Sequence, residues 1–289
     1  MSTACLARNV LQEGARRLQE AGVSNARHEA EWLLSGLTGE RTLDMYLQDP
    51  PLPDDTVARF VAQVEARASG APLQYLLGEA EFFGERFAVA PGVFIPRPET
   101  EAVVAEALQA LRVREATLGR PLRLLDLGTG SGCIAVTLAR ELPTCVVVGV
   151  ELSWNALCLA RQNVLRHGLE ARVHLVRGSW LSPICGLVDG VLANPPYIPS
   201  AQVDRLPLDV RQEPRLSLDG GERGTRDLFH LLAEVPRILR RGGLLAMECG
   251  EEQVAELSRA AVTQSWVQRS VALHDLGGHP RGILITQVS

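Results

Sequence analysis

A short segment with unusual chemistry follows an apolar run that predicts a buried β-strand; its residues are Asn194, Pro195, Pro196 and Tyr197. Each proline lacks a backbone N–H and fixes its own φ, and the residue before a proline is confined to extended conformations. The Asn194 side-chain oxygen and the Pro195 carbonyl oxygen are therefore held as rigid hydrogen-bond acceptors. Such a pocket can orient the N–H bonds of an amide or aromatic amine and stabilise charge that grows on its nitrogen, while Tyr197 stacks on the planar group.

A glycine-rich loop stands between another predicted strand and a predicted helix; its residues are Gly128, Thr129, Gly130, Ser131 and Gly132. Glycines permit positive φ and a close approach of a ligand, and a helix N-terminus offers unpaired N–H groups. The dinucleotide fingerprint GxGxxG would need a glycine where the chain has Cys133, which argues against a nicotinamide site. The next predicted strand ends at Glu151, whose carboxylate can accept hydrogen bonds from two ribose hydroxyls. Together with the proline segment, these features favour a nucleoside-binding site over turns that are purely structural.

The chemistry-bearing segments lie in a part of the chain where short apolar stretches alternate with helical ones. The apolar stretches are 122–128, 145–151, 171–176, 187–194, 242–248 and 282–287. Helical periodicity is found in 131–141, 153–166 and 226–239. Runs of Val and Leu in such an alternation predict an α/β fold with a mainly parallel sheet and helices on both faces. Ligands of these sheets bind at the carboxyl ends of the strands, where both segments stand.

The first part of the chain has a different pattern. Residues 6–18 and 26–37 have helical spacing, and a further helix is predicted after Asp54 and Asp55 as N-cap residues. Aromatic and apolar residues then flank Gly84-Glu85, which predicts a β-hairpin, and another helix is predicted to begin at Pro98. We therefore expect a helical domain over 1–75, a hairpin connector over 76–95 and the α/β domain over 96–289.

Composition narrows the classes of function. The 289 residues are 46% hydrophobic and 22% charged, and the longest apolar run, Cys145–Val150, is far shorter than the roughly 20 residues of a membrane-spanning helix. The start of the chain lacks the core of a signal peptide, so we expect a cytoplasmic protein. We also expect a monomer. Six scattered cysteines form no CxxC pair, and no metal is expected.

The distribution of charge argues against direct contact with nucleic acid. Residues 1–93 hold 8 Arg and 13 acidic residues, whereas residues 94–289 hold 21 of each, and the sequence contains no Lys. A domain that grips phosphates should be locally basic. We instead expect the acidic N-terminal domain to dock on a basic protein.

With these motifs together, the sequence resembles the PrmC/HemK family of class I methyltransferases, which modify a glutamine side chain in peptide chain release factors. The resemblance covers about residues 72–289. The segment Ile95-Pro96-Arg97-Pro98-Glu99-Thr100-Glu101 is its most specific part, because the Asn-Pro-Pro-Tyr segment is shared with adenine-N(6) DNA methyltransferases. Other matching residues are Pro72, Tyr75, Leu76, Gly78, Phe82, Gly84, Arg211, Glu213 and Pro214, together with the glycine loop and Glu151.

The resemblance implies a Rossmann-like class I methyltransferase domain that uses S-adenosylmethionine, preceded by a small all-helical domain and a β-hairpin connector. It implies that the glycine loop wraps the methionine moiety, that Glu151 holds the ribose and that Trp180 packs near the adenine. Asn194 would touch both cofactor and substrate. Asn194, Pro195 and Tyr197 would be catalytic, and with Pro196 they would bind the glutamine of a Gly-Gly-Gln tripeptide. Ser179 stands where many relatives have Asp, which predicts a weaker contact with the adenine amine.

Several alternatives remain at this point. The enzyme could modify a glutamine of a ribosomal protein, or adenine N(6) of nucleic acid, or the domain could bind a cofactor without catalysis. On sequence grounds Trp180 is more often a core residue than a cofactor contact, and the resemblance favours the cofactor contact. Arg97, Glu99 and Glu101 could form a structural ion-pair network or contact substrate. A solvated charged loop is the expectation for Arg211, Arg215, Arg223 and Arg226.

Overall fold

The computed structural model describes residues 5–288, and these form two compact units. The first unit runs to Glu79 and includes Pro207–Gln212. The second comprises Ala80–Leu206 and the chain from Glu213 onward. The structure divides into two units near residue 79, whereas the sequence predicted three parts. The limits predicted for a helical domain, a connector and an α/β domain therefore stay predictions.

The first unit is mainly helical. Its elements are β1 (Cys5–Leu6), α1 (Ala7–Glu20), α2 (Ala26–Thr38), α3 (Thr42–Gln48), β2 (Pro51–Leu52), α4 (Asp54–Ala68) and α5 (Leu73–Leu77). Gly14 of α1 lies against the ring of Phe60 of α4, where an added Cβ would be 2.5 Å from the ring. The prediction of Asp54 and Asp55 as N-cap residues is wrong: Pro53 precedes the helix, and both acids lie in its first turn. Carboxylates there still favour the helix through its dipole.

The second unit begins with a hairpin and continues as alternating strands and helices. The first half contains β3 (Glu79–Phe82), β4 (Glu85–Ala88), α6 (Pro98–Leu118), β5 (Arg123–Leu127), α7 (Cys133–Glu141), β6 (Val146–Glu151), α8 (Trp154–Arg166), β7 (Val173–Arg177) and β8 (Val188–Ala193). The second half contains α9 (Ser200–Val203), α10 (Arg215–Leu218), α11 (Arg226–Glu234), β9 (Leu239–Glu248), α12 (Glu251–Val262), β10 (Val267–His274) and β11 (Pro280–Gln287). The predicted hairpin and the helix that begins at Pro98 are confirmed.

One seven-stranded sheet organises this unit, in the order β10-β11-β9-β8-β5-β6-β7. Strands β5 to β9 pair with one another in parallel, and β11 runs antiparallel to both β9 and β10. The predicted mainly parallel sheet is therefore confirmed. The helix predicted over 226–239 is shorter than expected: α11 ends at Glu234, and a 3₁₀ turn that contains Pro236 leads into β9. Proline cannot continue the ladder of helical hydrogen bonds, which accounts for the break.

Helices cover both faces of the sheet because neighbouring strand residues alternate between two cores. Leu124 and Leu244 belong to the core under α6 and α7, whereas Leu125 and Leu245 belong to the core under α11 and α12. The hairpin contributes Phe82 and Phe87 to the first core. No helix within residues 5–288 is long and apolar enough to cross a membrane.

Candidate active site

A cavity of about 320 Å³ opens in the second unit where β5, β6 and β8 end. The glycine loop, the residues after β6 and the start of the proline segment form its walls. Among the sequence-predicted site residues it is lined by Gly128, Thr129, Gly130, Ser131, Glu151, Trp180, Asn194 and Pro196. The fold therefore brings together, around one cavity, predicted site residues from four separate segments of the chain. Of the remaining predicted residues, Gly132, Pro195 and Tyr197 are described by the structure but do not line this cavity.

The glycine loop is held open by hydrogen bonds to the neighbouring strand. Backbone N–H groups of Gly128 and Thr129 donate to the Val150 carbonyl oxygen at 2.9 and 3.0 Å. The three glycines have φ of +74°, +56° and +84°, values that side chains disfavour, and Gly132 lies at the N-terminus of α7. The loop thus keeps its backbone bare toward the cavity.

Glu151 fixes the loop from the end of β6. Its Oε2 accepts from the Gly130 N–H at 3.0 Å, and its Oε1 accepts from the Ser153 N–H at 2.8 Å. An ionised carboxylate offers about four lone-pair sites. Glu151 therefore retains acceptor capacity toward a ligand while its position is set by two backbone donors.

Asp126, the last but one residue of β5, supports the loop from below and was missed by sequence reasoning. It is fully buried, and its Oδ2 accepts from the Thr129 hydroxyl and from the Ala135 N–H at 3.0 Å. Burial raises the pKa of this carboxyl to about 7. The only sequence signal was an acid two residues before the glycine loop, which by itself does not separate a ligand contact from a loop support.

Trp180 forms the wall opposite Gly128. A Cβ added to Gly128 would lie 3.4 Å from the indole ring, so the glycine allows the ring to approach the loop. Trp180 also packs against the core shared with α11 and α12, so both sequence interpretations describe part of its environment. Its φ of +47° is strained for a residue with a side chain. Ser179 lines the cavity beside it.

The proline segment presents its first residue to the cavity and turns its last residue away. Asn194 Nδ2 donates to the Thr100 hydroxyl oxygen at 3.0 Å, which leaves Oδ1 as the free acceptor of this amide. Tyr197 packs against the core, and its hydroxyl donates to Glu248 Oε1 at 3.1 Å. Burial raises the pKa of Tyr197 well above its usual value. The stacking role predicted for Tyr197 therefore stays a prediction, and the ring is partly buried and packs against the core.

A second glycine-rich stretch supports the proline segment from behind. A Cβ on Gly220 would lie 2.6 Å from the Pro196 carbonyl oxygen, and a Cβ on Gly224 would lie 2.2 Å from the Tyr197 carbonyl oxygen. Gln253, in the first turn of α12, donates to the carbonyl oxygens of Tyr197 and Gly224 at 2.9 and 3.1 Å. Close backbone packing that only glycine allows thus fixes the segment.

The segment Ile95–Glu101 is tied to the unit mainly through structural contacts. Glu213, which is buried, accepts from the Ile95 N–H at 3.0 Å and pairs with Arg97. Glu101 accepts from the Phe83 N–H of the hairpin at 3.0 Å. Of the two interpretations left open for Arg97 and Glu101, the structure thus supports the network of structural contacts.

The charged loop that follows is solvated at these arginines. Arg215 and Arg223 form exposed ion pairs with Asp204 and Glu256, as expected of a solvated loop. Arg226 is exposed as well; it pairs with Asp227 at 2.7 Å and lines the cavity. Within residues 5–288 no group of three or more metal-ligating acids, cysteines or histidines was found.

Comparison with solved structures places the fold in a known class. A methyltransferase from Pyrococcus furiosus matches 82% of this chain and all of its own at a TM-score of 0.50 and 18% identity. The hMettl16 catalytic domain, solved in complex with the MAT2A 3′UTR hairpin 6, matches 81% of this chain and 82% of its own at 0.56 and 15%. A protein-family model described as the methyltransferase small domain matches residues 97–207. The second unit is therefore a class I methyltransferase domain.

Sequence relatives narrow the class to a family. A protein-family model described as the PrmC N-terminal domain matches residues 9–78. The release factor glutamine methyltransferase of Moorella thermoacetica is 44% identical over 260 residues, which cover 88% of this chain and 89% of the relative. The enzyme of the same name from Geobacter sulfurreducens is 45% identical over 84% of each chain. The chain belongs to the release factor glutamine methyltransferase family, which confirms the resemblance drawn from the motifs.

Proposed function

We propose that this protein transfers a methyl group from S-adenosylmethionine to the side-chain amide nitrogen N(5) of the glutamine in the Gly-Gly-Gln motif of peptide chain release factors. One observation carries the proposal. The free acceptor oxygen of Asn194 and the bare backbone of the glycine loop line the same cavity, so an amide and a nucleoside cofactor can meet there. Membership of the family supports the identity of the substrate.

The residues present fit the cofactor chemically. The loop from Gly128 to Gly132 carries no side chain at three positions, so a ligand can approach its backbone and the N-terminus of α7. We assign the methionine moiety to this loop, the ribose to the acceptor sites that remain on Glu151, and the adenine to the neighbourhood of Trp180. Ser179 offers the adenine amine a neutral hydroxyl, a weaker acceptor than a carboxylate.

The cofactor supplies a methyl group bonded to a positively charged sulfur. This sulfur is a good leaving group when the methyl group is transferred. The task of the chain is to align the target nitrogen, an effect that can lower a barrier by roughly 7 to 11 kcal/mol. Asn194 Oδ1 and the Pro195 carbonyl oxygen accept the two N–H bonds of the glutamine amide and stabilise the charge that grows on its nitrogen. Pro196 contacts the amide plane from the cavity wall. A strong base is not required, because the proton can leave after the methyl has transferred.

We further propose that the first unit recognises the release factor through its acidic surface, and that the protein acts as a monomer in the cytoplasm, where release factors work. Neutralising the exposed Glu40 and Asp55 together, as Glu40→Gln with Asp55→Asn, should raise KM for the release factor and leave kcat unchanged. The matched control is Glu170→Gln, an exposed acid of the second unit. A KM equal to that of the control would refute the docking role.

The activity itself is tested with methyl-labelled cofactor and three acceptors: purified release factors, ribosomal proteins and DNA. Mass spectrometry then locates the labelled atom. The proposal predicts label on the Gly-Gly-Gln glutamine nitrogen. Label on a ribosomal-protein glutamine or on adenine N(6) would replace the proposed substrate, and cofactor binding without transfer to any acceptor would indicate a binding module.

A further inference from the structure

One buried side chain is bonded to two segments that form separate walls of the cavity. Asn163 of α8 is fully buried and does not itself line the cavity. Its Oδ1 accepts from the Ala88 N–H at 2.7 Å, and its Nδ2 donates to the carbonyl oxygens of Ala88 and Ser131 at 3.0 and 2.8 Å. Ala88 is the last residue of β4, whereas Ser131 belongs to the glycine loop.

The direction of the Asn163 amide is fixed by these partners. Ala88 offers both an N–H donor and a carbonyl acceptor, so Oδ1 must face the first and Nδ2 the second. The other hydrogen of Nδ2 then points to the Ser131 carbonyl oxygen. A reversed amide would place its oxygen against two carbonyl oxygens and its NH₂ group against an N–H. Three hydrogen bonds from one side chain therefore set the spacing between β4 and the glycine loop.

Both segments lead directly into the cavity. Ser131 lines the cavity, and the chain that follows β4 contributes lining residues that include Gly92 and Phe94. Helix α8 also lies close behind the loop, since a Cβ added to Gly132 would be 3.3 Å from the Ala160 side chain. The loop has glycine at three of its five positions, so few side chains of its own can hold its shape. Its shape therefore depends on contacts from outside.

We propose that Asn163 is a positioning residue that holds the glycine loop in the shape that binds S-adenosylmethionine. This inference rests on the proposed function, because that function assigns the methionine moiety to this loop. Without the Asn163 amide, the Ser131 carbonyl oxygen loses this hydrogen bond and the loop is no longer held to β4. Asn163 is assigned no contact with cofactor or glutamine; it acts through the loop.

Two alanine variants of the same helix separate this role from a general loss of stability. Asn163→Ala removes the three hydrogen bonds, and the matched control Val164→Ala truncates a buried core residue next to it. Affinity is measured by calorimetry with S-adenosylhomocysteine, under conditions in which urea titrations show both variants to be folded. We expect Asn163→Ala to raise Kd by about tenfold and Val164→Ala to leave Kd within about twofold of the wild type. An unchanged Kd for Asn163→Ala, or equal rises in the two variants, overturns the proposal.

Asn163→Asp tests the donor itself. The new side chain keeps the shape and the acceptor for the Ala88 N–H, but it places an oxygen where Nδ2 donated. We expect a rise in Kd similar to that of Asn163→Ala, and this variant takes its place against Val164→Ala if Asn163→Ala does not fold. In methyl-transfer assays, the Asn163 variants should raise KM for S-adenosylmethionine and leave KM for release factor within about twofold. Equal rises in both KM values would contradict a role confined to the cofactor loop.

Failure of this inference is distinguishable from failure of the proposed function. Affinity for S-adenosylhomocysteine is measured without an acceptor, so the role of Asn163 is tested even if the enzyme methylates another acceptor. A wild type that binds S-adenosylhomocysteine no better than Asn163→Ala does would refute this inference alone. A wild type that does not bind it would refute the cofactor assignment, and this inference with it.

Discussion

Gly224→Ala is predicted to damage the active site through a collision behind the proline segment. The added Cβ would lie 2.2 Å from the Tyr197 carbonyl oxygen and 2.7 Å from Gln253 Nε2. An ordinary contact needs about 3.4 Å, so the Tyr197 carbonyl must retreat by roughly 1.2 Å. Because a misplacement of about 1 Å near the reacting groups can cost on the order of 100-fold in rate, we expect a large fall in kcat.

The chain offers a matched control for the backbone strain. Gly84, in the turn of the hairpin, has the same φ of +72° as Gly224, but an added Cβ there would meet nothing within 4 Å. Gly84→Ala should therefore show only the strain of positive φ, about 1 to 2 kcal/mol of unfolding free energy. Gly224→Ala should lose a further 1 to 3 kcal/mol or so from the collision.

Both glycines belong to the second unit, so urea unfolding of that unit compares them directly. Methyl transfer to release factor is measured beside it, at saturating cofactor. We expect Gly84→Ala to keep its kcat and Gly224→Ala to lose most of it. Equal losses of stability and equal rates in the two variants would show that the contact with Tyr197 does not position the segment.

Three further changes test other parts of the site. Arg97→Met should lower the unfolding free energy by about 1.5 to 3 kcal/mol in a urea titration, because it removes the ion pair between Arg97 and the buried Glu213. Arg215→Met, at an exposed pair, should cost less than about 1 kcal/mol, and equal costs would refute the structural role of Arg97. Glu151→Ala should weaken cofactor binding by about tenfold or more in calorimetry, and unchanged affinity would rule out the ribose assignment. Burial raises the pKa of Asp126 in the folded state from 3.8 to about 7. Between about pH 4 and pH 7 the folded state therefore holds a proton that the unfolded state releases. The contribution of Asp126 to the free energy of unfolding falls as pH rises through this range. Asp126→Asn should flatten that fall, and an unaltered pH dependence would contradict the burial argument.

Local patterns were sufficient to predict the parts of the site that depend on local backbone chemistry. The glycine loop and the proline segment are defined by residues adjacent in the chain, and the carboxyl ends of parallel strands bring them together. The hydrophobic runs are also patterns of adjacent residues, and they predicted the parallel strands of the sheet. Strand β10 was missed because it lies at the sheet edge and only Leu273 of its eight residues is buried.

The supports of the site could not be predicted in this way. Thr100 and Glu248 are separated by most of the second unit, and Gly224 and Gln253 meet Tyr197 only through the fold. Tyr197 itself has the aromatic ring expected of a stacking residue, yet its hydroxyl donates to the buried carboxyl of Glu248 and its ring packs against the core. Such contacts depend on tertiary distances, which the spacing of residue types does not encode.

A structure of the protein with S-adenosylhomocysteine and a Gly-Gly-Gln peptide tests the central claim most directly. The measured quantities are the distances from the glutamine side-chain nitrogen to Asn194 Oδ1 and to the Pro195 carbonyl oxygen. We predict that both distances are about 3 Å, with the nucleoside beside Glu151 and Trp180. A glutamine nitrogen that lies beyond hydrogen-bond reach of both oxygens, or that faces Asn194 Nδ2, would contradict it.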